Sequence, residues 1–303
     1  MDVTHSESPA ARAWDESRGR LFGIAYRMLG DVGHAEDVVS EVGIAAVVAE
    51  REAASEIRSW PAWLTTVGTR KAIDRARHLA SIKEDYPGPW LPEPIATEAL
   101  PEEALANREL LSLTLLHLAD QLSPESRAAL VLSRAFDLPA EEIGEILGKS
   151  AAAVRQLVSR AARRLDLDRD VSRPADPAAL GRLAEAIHSG DLAAALPLLL
   201  AEDAVYWSDG GGKVRSAVNP VFGSARIARF FAGVLTPVDL DGAHIGAILE
   251  INGGLAMAIR RDGDTRVLEI DLGADGLIHG LRQVNNPDKL TRLGGGGRRP
   301  TGG

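Results

Sequence analysis

The sequence predicts a multidomain protein in which two all-α helical domains are followed by an α+β domain. Residues 14–78 and 123–165 carry apolar side chains at three- and four-residue spacing, without alternating stretches. From about residue 176 the pattern changes, and two short helical segments precede alternating segments typical of strands. A chain of 303 residues is long enough for two or three domains of about 100 to 150 residues each.

Composition limits the possible classes of function. The net charge of −9 is not that of a bulk nucleic-acid binder, so any DNA contact must come from local basic faces. The absence of cysteine excludes disulfides and thiolate metal sites, and we expect no cofactor and no metal. The polar first twenty residues lack the apolar core of a signal peptide, and no later segment is apolar enough to span a bilayer. We therefore expect a soluble, cytoplasmic protein with no membrane partner.

The first two helices combine an apolar stripe with an acidic outer face. The stripe of the first helix consists of Leu21, Ile24, Ala25, Met28 and Leu29. The polar side of the second helix carries Glu36, Asp37, Ser40 and Glu41. This acidic patch is either a solvated face or a docking surface for a basic partner. The charged residues 50–56 then predict a loose segment.

Two tryptophans flank Pro61, which predicts a helix start with Trp60 in the preceding loop. The helix that follows is basic. Aromatic rings beside cations suit single-stranded nucleic acid, because bases stack on the rings and phosphates pair with the charges. The candidate contacts are Arg58, Trp60, Thr66, Arg70, Lys71 and Arg77. The alternative is that Trp60 and Trp63 are core anchors, and Trp63, on the helix, fits this alternative better.

Residues 123–165 have the layout of a helix-turn-helix. Ser123 followed by Pro124 predicts the start of one helix, and Pro139 opens a second that ends at Gly148. Ser150 caps a third helix with an inward stripe of Val154, Leu157, Val158, Ala161 and Leu165. Its outer side carries Lys149, Ser150, Ala152, Arg155, Gln156, Ser159, Arg160 and Arg163. Such a face fits a major groove, where Arg and Gln read base edges; the alternative is an ordinary solvated face.

The C-terminal third mixes helices and strands. Residues 180–187 and 192–200 predict two helices, and residues 204–208 predict a strand before the glycine run at 210–212. Further strands are expected at 246–250, 255–261 and 267–272, with a hairpin turn at 262–264. Residues 292–303 are predicted to be a disordered tail. Between the helical domains, residues 86–94 are rich in proline and should be extended, with Trp90 and Leu91 as anchors that need a surface. The alternative is an inert spacer.

In this order and spacing, the segments resemble an extracytoplasmic-function (ECF) sigma factor of bacterial RNA polymerase. Residues 20–30 and 35–41 resemble its polymerase-docking part, residues 60–77 its minus-ten reader and residues 123–165 its minus-thirty-five reader. The segment after Glu41 lacks the tryptophans and arginines usual there, and Lys71 replaces a typically apolar residue, so promoter opening should be weaker.

Three further motifs resemble the SigJ-like group, which carries a SnoaL-like C-terminal extension. They are Trp90-Leu-Pro-Glu-Pro94, Asp209-Gly-Gly-Gly-Lys213 and Asn286-Pro-Asp-Lys-Leu290. The resemblance implies a cone-shaped barrel and a linker that governs polymerase engagement together with the extension. The implied contact residues are Trp90, Leu91, Pro92, Glu93, Pro94, Asp209, Lys213, Asn286, Asp288 and Lys289. The glycine run lacks the P-loop frame, so we expect a surface loop that contacts the promoter-binding modules.

These observations predict a sigma factor that is not an enzyme. Its domains would be residues 10–85 (region 2), 86–104 (linker), 105–168 (region 4) and 176–291 (SnoaL-like). Its partners would be core RNA polymerase and promoter DNA, and a small ligand in the C-terminal domain stays an open question. The alternative is a small-molecule sensor or enzyme built on that domain. Its candidate groups are His188, His244, His279, Asp209, Glu269 and Asp271, although no spacing fixes a pair and the last two are expected on a solvated face.

Overall fold

The computed structural model describes residues 8–53, 56–105, 107–165, 173–234, 244–261 and 264–293. The chain divides into two compact units. The first contains residues up to 81 together with 100–110 and 118–165, and the second contains 82–99, 111–117 and the residues from 166 onward. Two segments of the middle of the chain therefore fold with the C-terminal residues.

The described part of the N-terminal half is helical. Its α-helices are α1 (Pro9–Leu29), α2 (Val32–Ala53), α3 (Trp60–Glu84), α4 (Leu113–Ala119), α5 (Pro124–Arg134), α6 (Ala140–Leu147) and α7 (Ala151–Arg164). Short 3-10 turns lie at Thr97–Ala99, Glu102–Leu105 and Arg108–Leu111. No helix in the described part of the chain is both long and apolar enough to cross a membrane.

Local signals explain where several helices begin and end. The side chains of Ser8, Ser123 and Ser150 each accept a backbone N–H of the first turn of α1, α5 and α7. Gly148 ends α6 in the left-handed conformation, at φ 65°. The helix-turn-helix order of α5, α6 and α7 is therefore the predicted one. The predicted stripe of α1 is also confirmed, because all five of its side chains are buried.

Two local predictions for α2 and α3 are wrong. The loose segment predicted at residues 50–56 is helical through Ala53, and the carboxylate of Glu50 accepts the backbone N–H of Ala10 at 3.1 Å. That acceptor satisfies one of the N–H groups that α1 leaves without an intrahelical partner. Trp60 is not in a loop but is the first residue of α3, where its ring packs edge-on against Trp63.

From residue 173 onward, the described part of the C-terminal unit contains three α-helices and a sheet. The helices are α8 (Pro177–His188), α9 (Leu192–Ala195) and α10 (Ser224–Val234). The strands are β1 (Arg173–Pro174), β2 (Leu200–Asp209), β3 (Val221–Phe222), β4 (His244–Ile251), β5 (Gly254–Arg261), β6 (Asp264–Leu272) and β7 (Ile278–Val284). The helix predicted at 192–200 ends early, because Pro197 lacks the N–H that would continue it, and a 3-10 turn leads into β2.

The sheet is open. Its strand order is β3-β2-β7-β6-β5-β4, with β2 and β7 parallel, the other neighbours antiparallel, and β1 paired with β6. The closed cone expected from the sequence is not confirmed, since β3 and β4 are opposite ends of this path and β3 has only two residues. The hairpin turn expected at 262–264 and the tail lie largely outside the described residues.

The two faces of the sheet have different cores. Leu268 and Ile270 of β6 join a cluster with residues of α8, α9 and α10. Val267 points to the opposite face, as alternation along a strand requires, and joins a second cluster. That second cluster includes Leu91 and Leu113, which come from the two middle segments. The middle of the chain therefore completes a core of the C-terminal unit.

Candidate nucleic-acid interface and linker site

The outer face of α7 is accessible along its length. Ser150, Ala152, Arg155, Gln156, Ser159, Arg160 and Arg163 are exposed. Val154 and Ala161 are buried on the opposite side. Arg155 pairs with Glu141 at 3.2 Å, and Arg160 bonds to Gln156 at 3.1 Å. Because such exposed pairs contribute about 0 to 1 kcal/mol, these side chains can exchange their partners for a nucleic acid.

Lys149, the remaining residue of the predicted minus-thirty-five set, is half-buried and pairs with Glu125 at 2.9 Å. The second oxygen of Glu125 accepts from Arg77 at 3.0 Å. The hydrogen bond from Lys149, followed by the charges of Lys149 and Arg77, lowers the pKa of Glu125 below its ordinary value of 4.5. One carboxylate therefore binds one residue from each of the two predicted DNA-contacting sets.

The predicted minus-ten residues of α3 fall on two sides of the helix. Thr66, Arg70 and Arg77 share a side at helical spacing, whereas Lys71 lies about 100° away. Arg70 donates from Nε to the carbonyl oxygen of Ile146 at 2.9 Å and from Nη2 to that of Glu145 at 3.3 Å. These carbonyls lie at the end of α6, where a helix leaves acceptors unsatisfied. Arg58 is exposed immediately before α3, and Trp60 is half-buried.

The predicted polymerase-binding patch is a mixed-charge surface. Glu41 pairs with Lys71 at 2.9 Å and with Arg75 at 2.7 Å, and Arg75 also reaches Asp37 at 3.3 Å. The bond from Lys71 is the main reason that the pKa of Glu41 is lowered. Glu36 and Ser40 are exposed beside this network. Lys71, like Arg75, therefore lies at the acidic patch and not with Arg70 and Arg77.

The structure brings the three SigJ-like motifs together in the C-terminal unit, at what we call the linker site. Residues 91–95 are all buried there. The Leu91 backbone donates its N–H to Asp209 at 2.9 Å and accepts from the Lys289 ammonium at 2.5 Å. Lys289 and Asp209 also pair directly at 2.7 Å, and their side chains are only 8% and 0% exposed. The Tyr86 hydroxyl donates to the other oxygen of Asp209 at 2.6 Å.

Cation–π contacts and two outer ion pairs surround this buried pair. The Lys83 and Lys289 ammonium groups lie 3.3 and 4.0 Å from the ring centre of Trp90. Lys213 pairs with Asp288, and Arg292 lies 3.8 Å from Glu93. Asn286 donates to the Tyr86 hydroxyl at 3.0 Å. Burial is the main cause of the raised pKa of Tyr86, and its bond to Asp209 adds to it.

The glycine run is packed against the linker. A Cβ at Gly211 would lie 2.3 Å from Nδ2 of Asn286, and one at Gly212 would lie 2.8 Å from the Pro87 ring. Both glycines also have positive φ, at 59° and 69°. The expectation of a surface loop contacting the promoter-binding modules is wrong for Asp209, which is fully buried and bound to linker residues.

A second contact site for the middle of the chain was not predicted. We call it the second linker site. Residues 111–117 bind there to side chains of the sheet and of one of its turns, which are Trp207, Asn252, Glu269, Asp271 and Arg282. Glu269 accepts the backbone N–H groups of Leu113 at 3.2 Å and Thr114 at 3.0 Å. Arg282 bonds to Asp271 and, at 2.8 Å, to the Thr114 hydroxyl. Leu113 is fully buried.

The expectation that Glu269 and Asp271 lie on a solvated face is therefore wrong. The two side chains are buried beneath residues 111–117, and burial, reinforced by the neighbouring Asp271 charge, raises the pKa of Glu269. The sequence carried one usable signal, since Glu269 and Asp271 alternate with Leu268 and Ile270 on a strand that has apolar residues on both faces. Alternation by itself predicts one solvated face, and the apolar Val267 on that face is the sign that it is covered.

Among the side chains that the structure describes, the candidate groups for catalysis do not form one constellation. His188 bonds to the Ala184 carbonyl at 2.8 Å, and His279 lies 3.2 Å from Asp275. The side chain of His244 lies outside the described residues. The three candidate carboxylates bind residues from the middle of the chain: Asp209 binds Leu91, and Glu269 and Asp271 bind Thr114. In the described ranges, no group of three or more His, Asp or Glu side chains is arranged to hold a metal ion.

Comparison with known proteins matches both helical modules. The family model for sigma-70 region 2 matches residues 14–82, and the model for sigma-70 region 4 matches residues 112–165. The chain is 34% identical over 300 residues to the ECF RNA polymerase sigma factor SigJ of Mycobacterium tuberculosis, covering 90% of this chain and 91% of that protein. It is 30% identical over 198 residues to the probable ECF sigma factor SigI of the same species, covering 63% and 67%. The crystal structure of M. tuberculosis SigJ matches with a TM-score of 0.72 at 32% identity, covering 92% of this chain and 97% of that one.

Proposed function

Because the chain belongs to the ECF RNA polymerase sigma factors, we propose that its two helical modules divide promoter recognition between two surfaces. The protein is a sigma factor that directs transcription initiation. In this proposal the outer face of α7 reads the minus-thirty-five element, and the basic side of α3 with Arg58 and Trp60 captures the minus-ten strand. Glu36, Asp37, Ser40 and Glu41 contact core RNA polymerase. The protein performs no bond-making of its own.

The observation that carries this proposal is the exposed face of α7. Arg155, Gln156, Ser159 and Arg160 project from the side opposite the buried stripe, where Arg and Gln can bond to base edges in a major groove. Lys149 and Arg163 at the flanks suit phosphates, which position the helix without reading sequence. Local cations thus supply the DNA contact on a chain whose net charge is −9.

The second part of the proposal is that the C-terminal domain controls, in cis, how readily the helical modules engage polymerase and promoter. Its support is the linker site, where a buried ion pair binds the Leu91 backbone from both sides. Linker residues engaged there cannot at the same time follow another path between the modules. Release or retention of the linker would therefore change the activity of the whole chain.

In vitro transcription tests the first part. Full-length protein with core polymerase should initiate at a promoter found by mapping transcripts after overproduction, and Arg155→Ala should weaken the dependence on the minus-thirty-five sequence by about 1 to 3 kcal/mol. Arg182→Ala, an exposed arginine on α8, is the matched control and should have no effect. Equal transcription by core polymerase without the protein would contradict the proposal.

A further inference from the structure

The second linker site contains three buried charged side chains that do not balance one another. Glu269 and Arg282 are register partners on β6 and β7, and Asp271 lies two residues beyond Glu269. Their exposed fractions are 6%, 2% and 8%. Two ionised carboxylates against one guanidinium would leave an excess of negative charge in a place that is largely shielded from water. Such a cluster is costly unless further hydrogen-bond donors complete it.

Residues 111–117 supply those donors. The backbone N–H groups of Leu113 and Thr114 both donate to Glu269, while Ser112 caps the next N–H, that of Leu115, at 3.2 Å. The Thr114 hydroxyl lies 2.9 Å from Glu269 and also contacts Asp271, and it accepts from Arg282. A hydroxyl has one proton, so it serves one carboxylate at a time while Arg282 neutralises the other.

Further contacts bind residues 111–117 to the sheet at several points, in addition to the bonds to Glu269. The Asn252 side chain donates to the Leu111 carbonyl at 2.9 Å and accepts the Ile95 N–H at 2.8 Å, so it binds both middle segments. His117 packs edge-on against Trp207, with ring centres 5.4 Å apart, and its Nδ1 accepts from Arg282 at 3.3 Å. Four residues of this segment are thus bound through their backbone or side chains to this face of the sheet: Leu111, Leu113, Thr114 and His117.

The residues bound at the second linker site include the start of sigma-70 region 4, to which we assign the reading of the minus-thirty-five element. The sigma-70 region 4 match begins at residue 112, yet residues 111–117 fold with the C-terminal unit and residues 118–165 with the helical unit. We propose that the Glu269, Asp271 and Arg282 cluster holds the start of region 4 and thereby sets the minus-thirty-five reading of the full-length protein. This inference rests on the proposed control in cis and assigns it a second contact site, separate from Leu91, Asp209 and Lys289.

The test uses three full-length variants. Glu269→Met removes the acceptor at similar size, Glu269→Gln keeps an acceptor oxygen, and Thr114→Val leaves the sheet unchanged. Hydrogen exchange of the peptide covering residues 111–117 should become about tenfold faster in Glu269→Met and Thr114→Val, and should rise less in Glu269→Gln, which keeps one of the two acceptor oxygens. Unchanged exchange in the β5 and β6 peptides verifies folding. Glu202→Gln, an exposed carboxylate on β2, is the matched control.

The same variants are then compared in transcription with core polymerase. Glu269→Met and Thr114→Val should change initiation at least about threefold on a promoter with an intact minus-thirty-five element, and less where that element is replaced. Unchanged hydrogen exchange in Glu269→Met and Thr114→Val would overturn this inference alone. Faster exchange without a change in transcription would do the same, provided that Leu91→Ala does change transcription. If Leu91→Ala also leaves transcription unchanged, the proposed control in cis is overturned, and this inference with it.

Discussion

The linker site and the two helical modules both contain ion pairs, but water reaches these pairs to very different extents. The Lys289 and Asp209 side chains are 8% and 0% exposed, whereas those of Lys149 and Glu125 are 31% and 38% exposed. An exposed pair contributes little and exchanges partners easily. A buried pair gains little net stability from its charges, yet the loss of one partner leaves an uncompensated charge.

This difference suits the proposed roles. The cations of α3 and α7 must leave their carboxylates to bind phosphates, and their exposed partners let them do so at small cost. The linker site must instead hold a chain segment in one place. There the ammonium of Lys289 is useful because it bonds to a backbone carbonyl and a carboxylate together, which a mobile surface lysine does not do.

Lys289→Met should give the largest change. It leaves Asp209 buried without its cation, so we expect a loss of about 3 to 5 kcal/mol in the free energy of unfolding of the C-terminal unit, measured by urea denaturation. Lys213→Met is the matched control, because Lys213 forms an exposed pair with Asp288 and its loss should cost less than about 1 kcal/mol. Equal losses for the two variants would remove the distinction between buried and exposed pairs.

Leu91→Ala comes next and tests the apolar half of the linker site. Leu91 is fully buried in the second core of the sheet, so truncation should cost about 2 to 5 kcal/mol, depending on how far the cavity collapses. Leu198→Ala, at a side chain that is 77% exposed, should stay within about 0.5 kcal/mol. A Leu91 variant as stable as the Leu198 variant would show that the linker is not held by this contact.

Glu125→Gln should have the smallest effect on stability and a clear one on DNA binding. It frees Lys149 and Arg77 from a shared carboxylate, so promoter affinity should rise and the slope of log affinity against log salt should steepen by roughly 0.9 for each new phosphate contact. Binding titrations at several salt concentrations measure this slope. Glu145→Gln, an exposed carboxylate of α6, controls for net charge. An identical slope in both variants would contradict the assignment.

Acid should weaken the same contact in the unaltered protein. The pKa of Glu125 is lowered in the folded state, so the stabilisation from its pairs is complete above its ordinary pKa of 4.5 and is lost as the pH falls through the lowered value. The stabilisation from the pairs of Glu41 is also lost in acid, because Lys71 and Arg75 lower the pKa of Glu41. Glu269 responds in the opposite direction. Burial raises its pKa, so its contribution to stability is complete at low pH and is lost as the pH rises through the raised value.

The helical modules could be predicted because their signals are local. Ser123, Gly148 and Ser150 mark helix ends through their own side chains or φ values, and the stripe of α7 follows from spacing alone. The outer face of α7 then follows by geometry. These features need no knowledge of distant residues, so the sequence was sufficient.

The second unit was harder because its decisive contacts are between residues far apart in the chain. Strand β7 was not predicted, since His279, Arg282 and Gln283 interrupt its apolar pattern. The burial of Arg282 depends on partners that are distant in the chain, among them Thr114 and His117. The pairing of Asp209 with Lys289 spans 80 residues. The linker motifs were recognised as a set, but neither their partners nor the role of Thr114 follows from local spacing.

The side chain of Asn252 has one further consequence for the topology of the chain. Its amide binds the backbone at Ile95 and at Leu111, so it pins both ends of the intervening stretch to one turn of the sheet. A protease that cuts within that stretch would leave Asn252 in the C-terminal fragment, bound to Ile95 of the other fragment, whose Leu91 also stays in the second core of the sheet. The nicked molecule would then migrate as a single particle in solution and separate only on denaturation.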